Sequence, residues 1–167
     1  VINTMGGKLD NAVMVGVVTL VSMFWSIYAG TLIDKFNRKH IFLTLTAIDA
    51  CILCSVAALG IMWGGLPFPL IVLIYTATIF TYNVHYPNLY AFVQELFEPQ
   101  YYAKVNSAIE IQGQTTNFLG MMTGGLLIDG SMGISWLPVS LQFEAWQLQE
   151  IFLLDGCTYL IGFLLIS

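Results

Sequence analysis

Hydrophobic and polar positions along this chain fall into long apolar blocks separated by short polar joints. Five blocks stand out, at about 12–33, 41–63, 68–92, 105–128 and 151–167. The first four hold more than 20 residues each. At 1.5 Å per residue, a helix of that length crosses a hydrocarbon core of about 30 Å. The fifth has 17 residues and reads as truncated. No block alternates apolar and polar residues strictly, and each is too long for a barrel strand. The pattern predicts an all-α membrane protein, a polytopic bundle of transmembrane helices. Val1 to Met5 reads as the tail of an earlier helix, and Asp10-Asn11 as the N-cap of the first full one. Gly64-Gly65-Leu66-Pro67 predicts a tight turn. Pro87, inside the third block, removes a backbone donor and predicts a kink.

Composition narrows the classes. The chain is 57% hydrophobic and 9% charged, where a soluble domain carries about 25% charge. Mean hydropathy is +0.79. The lipid bilayer is therefore the first partner. No basic patch suggests nucleic acid. Cys51, Cys54 and Cys157 all lie in apolar blocks, and Cys51-x-x-Cys54 has no second pair, so they read as small residues buried in the membrane and not as metal or redox sites. There is no nucleophile elbow, His-Glu-x-x-His or phosphate-binding loop, so neither an enzyme nor a cofactor is expected. With no signal peptide and no initiator Met, the chain reads as a fragment: a partial N-terminal transmembrane domain over residues 1–167.

The joints carry the charge. Three of the five Lys and Arg residues, Lys35, Arg38 and Lys39, sit between the first two blocks. The joint at 93–104 has Lys104, those at 64–67 and 129–150 have none, and Lys8 stands alone near the start. Positive charge thus marks alternate joints. The positive-inside rule puts the 34–40 and 93–104 loops in the cytoplasm and the 129–150 segment outside. Trp136 and Trp146 suit an interfacial belt there, on a short helix lying along the surface.

The first joint reads Gly30-x-Leu32-x-Asp34-Lys35-x-x-Arg38-Lys39-His40. It resembles the signature loop between the second and third helices of the major facilitator superfamily, G-x-L-x-D-[RK]-x-G-R-[RK]-[RK]. Asn37 stands where that signature has Gly, and Asn tolerates the left-handed backbone such a turn uses. The resemblance implies that these blocks are about helices two to six of twelve, most of one six-helix half, with a C-terminal half as partner. Tyr86-Pro87, then Lys104-Val105-Asn106-Ser107, then Asp155-Gly156 with Tyr159, are similar to the drug-efflux branch that includes macrolide and enterobactin exporters. Gly120-Met121-Met122-Thr123-Gly124-Gly125 resembles the antiporter motif ending G-P-x-x-G-G, without its proline. By resemblance, Asp34 and Arg38 brace the cytoplasmic ends of the two halves, with Gly30, Lys35 and Lys39 completing the gate. The location implied is the bacterial inner membrane, and the substrate a small molecule.

Candidate chemistry lies inside the blocks. At 100° per residue, Ser107, Glu110, Gln114 and Asn117 share one helical face, and Gly113, Gly120 and Gly124 a neighbouring one. The glycine face, with Gly125 beside it, admits close helix approach. The polar face lines a water-filled cavity or bonds neighbouring helices. Asp49 is an intramembrane carboxylate in the second block, which makes it a functional candidate. Asp49 is expected to be the proton-linked group and Glu110 the cation or substrate contact, both opening on one inward cavity. Asp155 reads as solvated, and His85 as bonding a carbonyl freed by Pro87. Tyr75, Tyr82, Tyr86 and Tyr90 line a cavity or pack. The reading is proton-coupled efflux of drug-like or amphipathic molecules by alternating access. The alternatives are a nutrient or lipid importer of the same fold, or a non-transporting membrane scaffold subunit.

Overall fold

The computed structural model describes residues 2–133, 140–142 and 144–167, with side chains over 13–130 and 144–167. Its order is α1 (Ile2–Lys35), α2 (Arg38–Trp63), α3 (Phe68–Leu96), a single 3-10 turn at Pro99–Tyr101, α4 (Tyr102–Asp129), a small hairpin of β1 (Ser131–Gly133) and β2 (Ser140–Gln142), and α5 (Leu148–Ile166).

Each boundary has a local cause. Asn37 ends α1 and caps α2: its backbone is extended, at φ −62° and ψ 126°, and its Oδ1 accepts from the backbone N–H of Lys39 at 2.9 Å and of His40 at 3.3 Å. The left-handed Asn37 expected from the sequence is not formed, because the side-chain cap satisfies the orphan N–H groups without it. Gly64 ends α2 at φ +71°, a backbone that favours glycine, and Gly65 N–H reaches back to the Gly60 carbonyl at 2.9 Å. Pro67 and Pro69 then start α3, where missing donors cost nothing. A capping box opens α5, with Glu150 Oε2 accepting from Gln147 N–H at 2.7 Å.

Two expectations at the N-terminal end are corrected. The helix runs unbroken through Asp10 and Asn11, and Ile2 to Met5 belong to α1 and not to an earlier helix. No proline interrupts that stretch, and extending an existing helix adds a hydrogen bond per residue fixed. The short surface helix expected before α5 is replaced, over its described part, by the β1–β2 hairpin. Trp136 lies outside the described residues. Trp146 N–H donates to the Leu127 carbonyl at 2.8 Å, tying the start of α5 to the end of α4.

Among the described residues, four helices are long and apolar enough to cross a membrane: Val13–Lys35 within α1, and the whole of α2, α3 and α5. They fit an integral membrane protein. Their outward faces agree, since Phe24 and Ile27 of α1 are 69% and 71% exposed, and contiguous apolar surface of that kind is untenable in water. The block at 105–128, expected as a full span, is the one that falls short. Glu110, Gln112, Gln114, Thr115, Thr116 and Asn117 cluster in the middle of α4 and dilute its hydropathy.

The bundle is built around α2. One side packs antiparallel on α5: Gly60 meets Gln149, Leu53 and Cys54 meet Gly156, and Thr46 meets Gly162. Leu53, Val56 and Ile74 form the buried cluster there, with Phe152 and Tyr159 against it. A second cluster of Ala29, Ile33 and Val84, with Trp25, Ile41 and Leu45, joins α1, α2 and α3. By contrast, α4 buries none of its side chains fully.

Candidate functional site

Three polar features bear on function: the hinge corner, the Asp49 cavity and the face of α4.

At the hinge, the Asn37 cap turns the chain so that Arg38, first residue of α2, points across to α3. Its guanidinium ion-pairs with Glu95, one residue before the end of α3. From the fully buried Asn88, Nδ2 donates to the Arg38 carbonyl at 3.0 Å. The corner is therefore tied to α3 through both side chain and backbone. Asp34, expected beside the hinge cations, is exposed and makes no ion pair among the described residues. Lys39 Nζ donates to the Ser167 carbonyl at 3.2 Å, which brings the end of α5 to the hinge. Lys35 Nζ sits 5.7 Å from the centroid of the Phe36 ring. A Cβ at Gly30 would meet nothing within 4 Å.

Asp49 is 4% exposed, deep in α2. Oδ1 of its carboxyl accepts from Thr81 Oγ1 on α3 at 2.9 Å, and Oδ2 is buried with no hydrogen-bond partner. It lines a cavity of about 120 Å³ between α2, α3 and α5, with Thr46, Thr78, Tyr82, His85 and Tyr159 around it. Burying a carboxylate at membrane depth costs about 2.5–3.5 kcal/mol on insertion scales. One neutral hydrogen bond offsets about 1 kcal/mol. Asp49 is therefore not explained by stability. His85 packs edge-on against Phe42, with centroids 5.0 Å apart, in place of the expected bond to a freed carbonyl.

Glu110 stands apart from that cavity. Its Oε1 accepts from the Tyr90 hydroxyl of α3. Tyr90, Tyr86 and Tyr82 form a ladder along α3, with centroids 6.3 and 4.7 Å apart, and Tyr82 lines the Asp49 cavity. Glu110 is thus not among the residues that line the Asp49 cavity, and the tyrosine ladder runs from Tyr82, which lines it, to Tyr90, which bonds Glu110. Asp49 faces α3 and α5, whereas Glu110 lies on α4, which touches α3 at the other end of the tyrosines. Gln114 and Asn117 are exposed, with no side-chain hydrogen bond among the described residues.

The glycines divide too. A Cβ at Gly113 would fall 2.6 Å from the Tyr86 hydroxyl, so the ladder packs tightly there. At Gly120, Gly124 and Gly125 it would meet nothing within 4 Å. Gly120 and Gly124 border an open groove of about 310 Å³ between α4 and α5, shared with the exposed Asp155. The close approach expected at that stripe is made instead at Gly60 and Gly156, on the α2–α5 contact.

Glu95, Asn88 and Thr81 were not visible as site residues from sequence, and Tyr159 entered only through the drug-efflux resemblance. Glu95 had a signal: it lies in the 93–104 joint, which the charge pattern puts on the same side as the hinge. Thr81 had none, because a threonine in a membrane helix commonly bonds its own helix backbone, as Thr46 and Thr76 do here. Among the described residues, no cluster of His, Cys, Asp or Glu is arranged to hold a metal ion. No protein family, curated protein or solved structure matches this chain.

Proposed function

We propose that this chain is part of a secondary active transporter of the major facilitator type, exporting drug-like or amphipathic small molecules in exchange for protons by alternating access. Asp49 carries the reading. A carboxyl group buried between three helices in an apolar span, with one oxygen unpartnered and a cavity beside it, suits a group that takes up and releases a proton as the bundle rearranges. The hinge adds support, since its signature residues lie between two candidate spans and Arg38 ties their corner to α3. Glu110, Gln114 and Asn117 on α4 supply a polar face for substrate, which a scaffold subunit would not need. A second helical half as partner, the bacterial inner membrane, and cytoplasmic 34–40 and 93–104 loops belong to the same proposal.

Proteoliposomes of the complete protein with an imposed proton gradient test it. Efflux of a fluorescent amphipathic dye should follow the gradient. Asp49→Asn should abolish that dependence, and Glu110→Gln should chiefly raise the substrate concentration needed. Native proton coupling in Asp49→Asn overturns the assignment.

A further inference from the structure

Away from Asp49, α1, α2 and α3 enclose an apolar groove of about 400 Å³, within the range of small-molecule sites. Trp25, Leu32 and Phe36 form one wall, Ile41, Leu45 and Ile48 the other, and the buried Val84 the floor. Trp25 to Phe36 spans roughly 16 Å of helix. The groove is therefore a slot along the helix axis and not a round pocket. Only His40 and Thr44 among its lining residues are polar, and His40 lies at the hinge end. The Trp25 indole N–H donates to the Phe80 carbonyl at 3.1 Å, which fixes that wall.

The hinge end of the slot is also the basic end. Lys35 Nζ rests 5.7 Å from the ring centroid of Phe36, itself a wall residue, and His40 lines the same end of the groove. The other charges at this corner are Asp34, which is exposed, Arg38, held by Glu95, and Lys39, which donates to the Ser167 carbonyl. Among the described residues, Lys35 is the Lys or Arg at this corner whose side chain makes neither an ion pair nor a hydrogen bond. An apolar slot buried in the membrane with a cation at its interfacial end matches an acyl chain joined to an anionic headgroup.

We propose that this groove is a binding site for an anionic phospholipid of the hinge-side leaflet, one acyl chain lying between α1 and α2 and the phosphate held by Lys35 and His40. The site shares Lys35 with the hinge signature, and its argument rests on neither transport nor the Asp49 assignment.

Trp25 reports on it directly. The full chain carrying Trp63→Phe, Trp136→Phe and Trp146→Phe, reconstituted in phosphatidylcholine vesicles, is titrated with phosphatidylglycerol brominated on its acyl chains. A parallel titration uses brominated phosphatidylcholine. Phosphatidylglycerol should half-quench Trp25 at a mole fraction about fivefold lower, the effect of one lysine at a membrane surface. Lys35→Gln should remove most of that preference and His40→Gln part of it. Lys104→Gln, a lysine away from the groove, should leave it intact. Circular dichroism confirms that each variant keeps its helix content. Equal quenching by the two lipids overturns the proposal. So does no quenching by either, which would mean that protein covers the groove, or an equal loss of preference in Lys104→Gln.

Discussion

Arg38 has two acids within sequence or spatial reach, Asp34 four residues behind it and Glu95 on the neighbouring helix, and it pairs with Glu95. Residues four apart meet only on a continuous helix. Asn37 breaks that continuity, so Asp34 and Arg38 project from different helices. The side chains of Arg38 and Glu95 are 24% and 50% exposed, and a pair that solvated contributes at most about 1 kcal/mol. Its role is orientation more than stability. Under the transporter reading, Arg38→Ala and Glu95→Gln should each slow transport severalfold in vesicles while membrane yield stays native. The double variant should be no worse than either single, since both remove one interaction. Asp34→Asn should add its effect independently. Native transport by Glu95→Gln would sink the brace. The sequence drew attention to Arg38 and Asn37 but offered no partner in this chain for the first and the wrong conformation for the second. Partner choice depends on where α3 ends in space, which no local pattern encodes.

Helix contacts show the same division. Gly120-x-x-x-Gly124 has the spacing of a close-packing motif, yet it faces an open groove. Gly60, which has that spacing only with Gly64 just past the end of its helix, and Gly156, which has it with no glycine, sit where a Cβ would fall 2.8 Å from Leu66 and Gln149 and 2.7 Å from Cys54 Sγ. Spacing says which glycines share a face; it does not say which face meets a neighbour. Beside Gly156 the Cys54 backbone nitrogen is only 3.2 Å from the added atom, so side-chain rotation alone cannot make room. Overpacking of this kind costs about 1–3 kcal/mol. Gly156→Leu should therefore lower the thermal midpoint of the chain in detergent by several degrees. Gly124→Leu should leave it unchanged. Equal midpoints for the two variants would show that α2 and α5 do not approach as closely as their glycines imply. The long apolar blocks were legible because burial in lipid writes itself into composition. Helix ends were legible where a strong breaker stood, as at Gly64 and Pro67. They were missed where the cap was a Gln, as at Gln147, or where no break existed, as at Asp10.

On the scale of the whole bundle, α4 is the helix that does not fit the lipid pattern. Neither the hydropathy of a span nor a buried face holds it in place, and its anchor to α3 runs through Tyr90, Tyr86 and Gly113. Gln112 Nε2 donates to Thr116 Oγ1 at 3.0 Å, so part of its polarity is satisfied within the helix. Glu110, Gln114 and Asn117 are not satisfied that way, apart from the bond of Glu110 to Tyr90. Hydrocarbon would penalise that face by several kcal/mol, so in the membrane it meets either water or another polar helix. The two differ in what reaches the side chains. In a background with Cys51, Cys54 and Cys157 replaced by Ala, single cysteines are placed at Glu110, Gln114 and Asn117, and at Leu119 and Met122, both well exposed and on a different face. Thiol reagents act on the thiolate, which forms in water and not in hydrocarbon. A membrane-impermeant maleimide added on the hinge side should label the first three positions at least about tenfold faster than the last two. Addition of substrate should slow labelling at Glu110→Cys most, since that position adjoins the tyrosine ladder. Uniformly slow labelling at all five positions would mean that the polar face is sealed against protein, and α4 would then be a packing element and not the wall of a transport path.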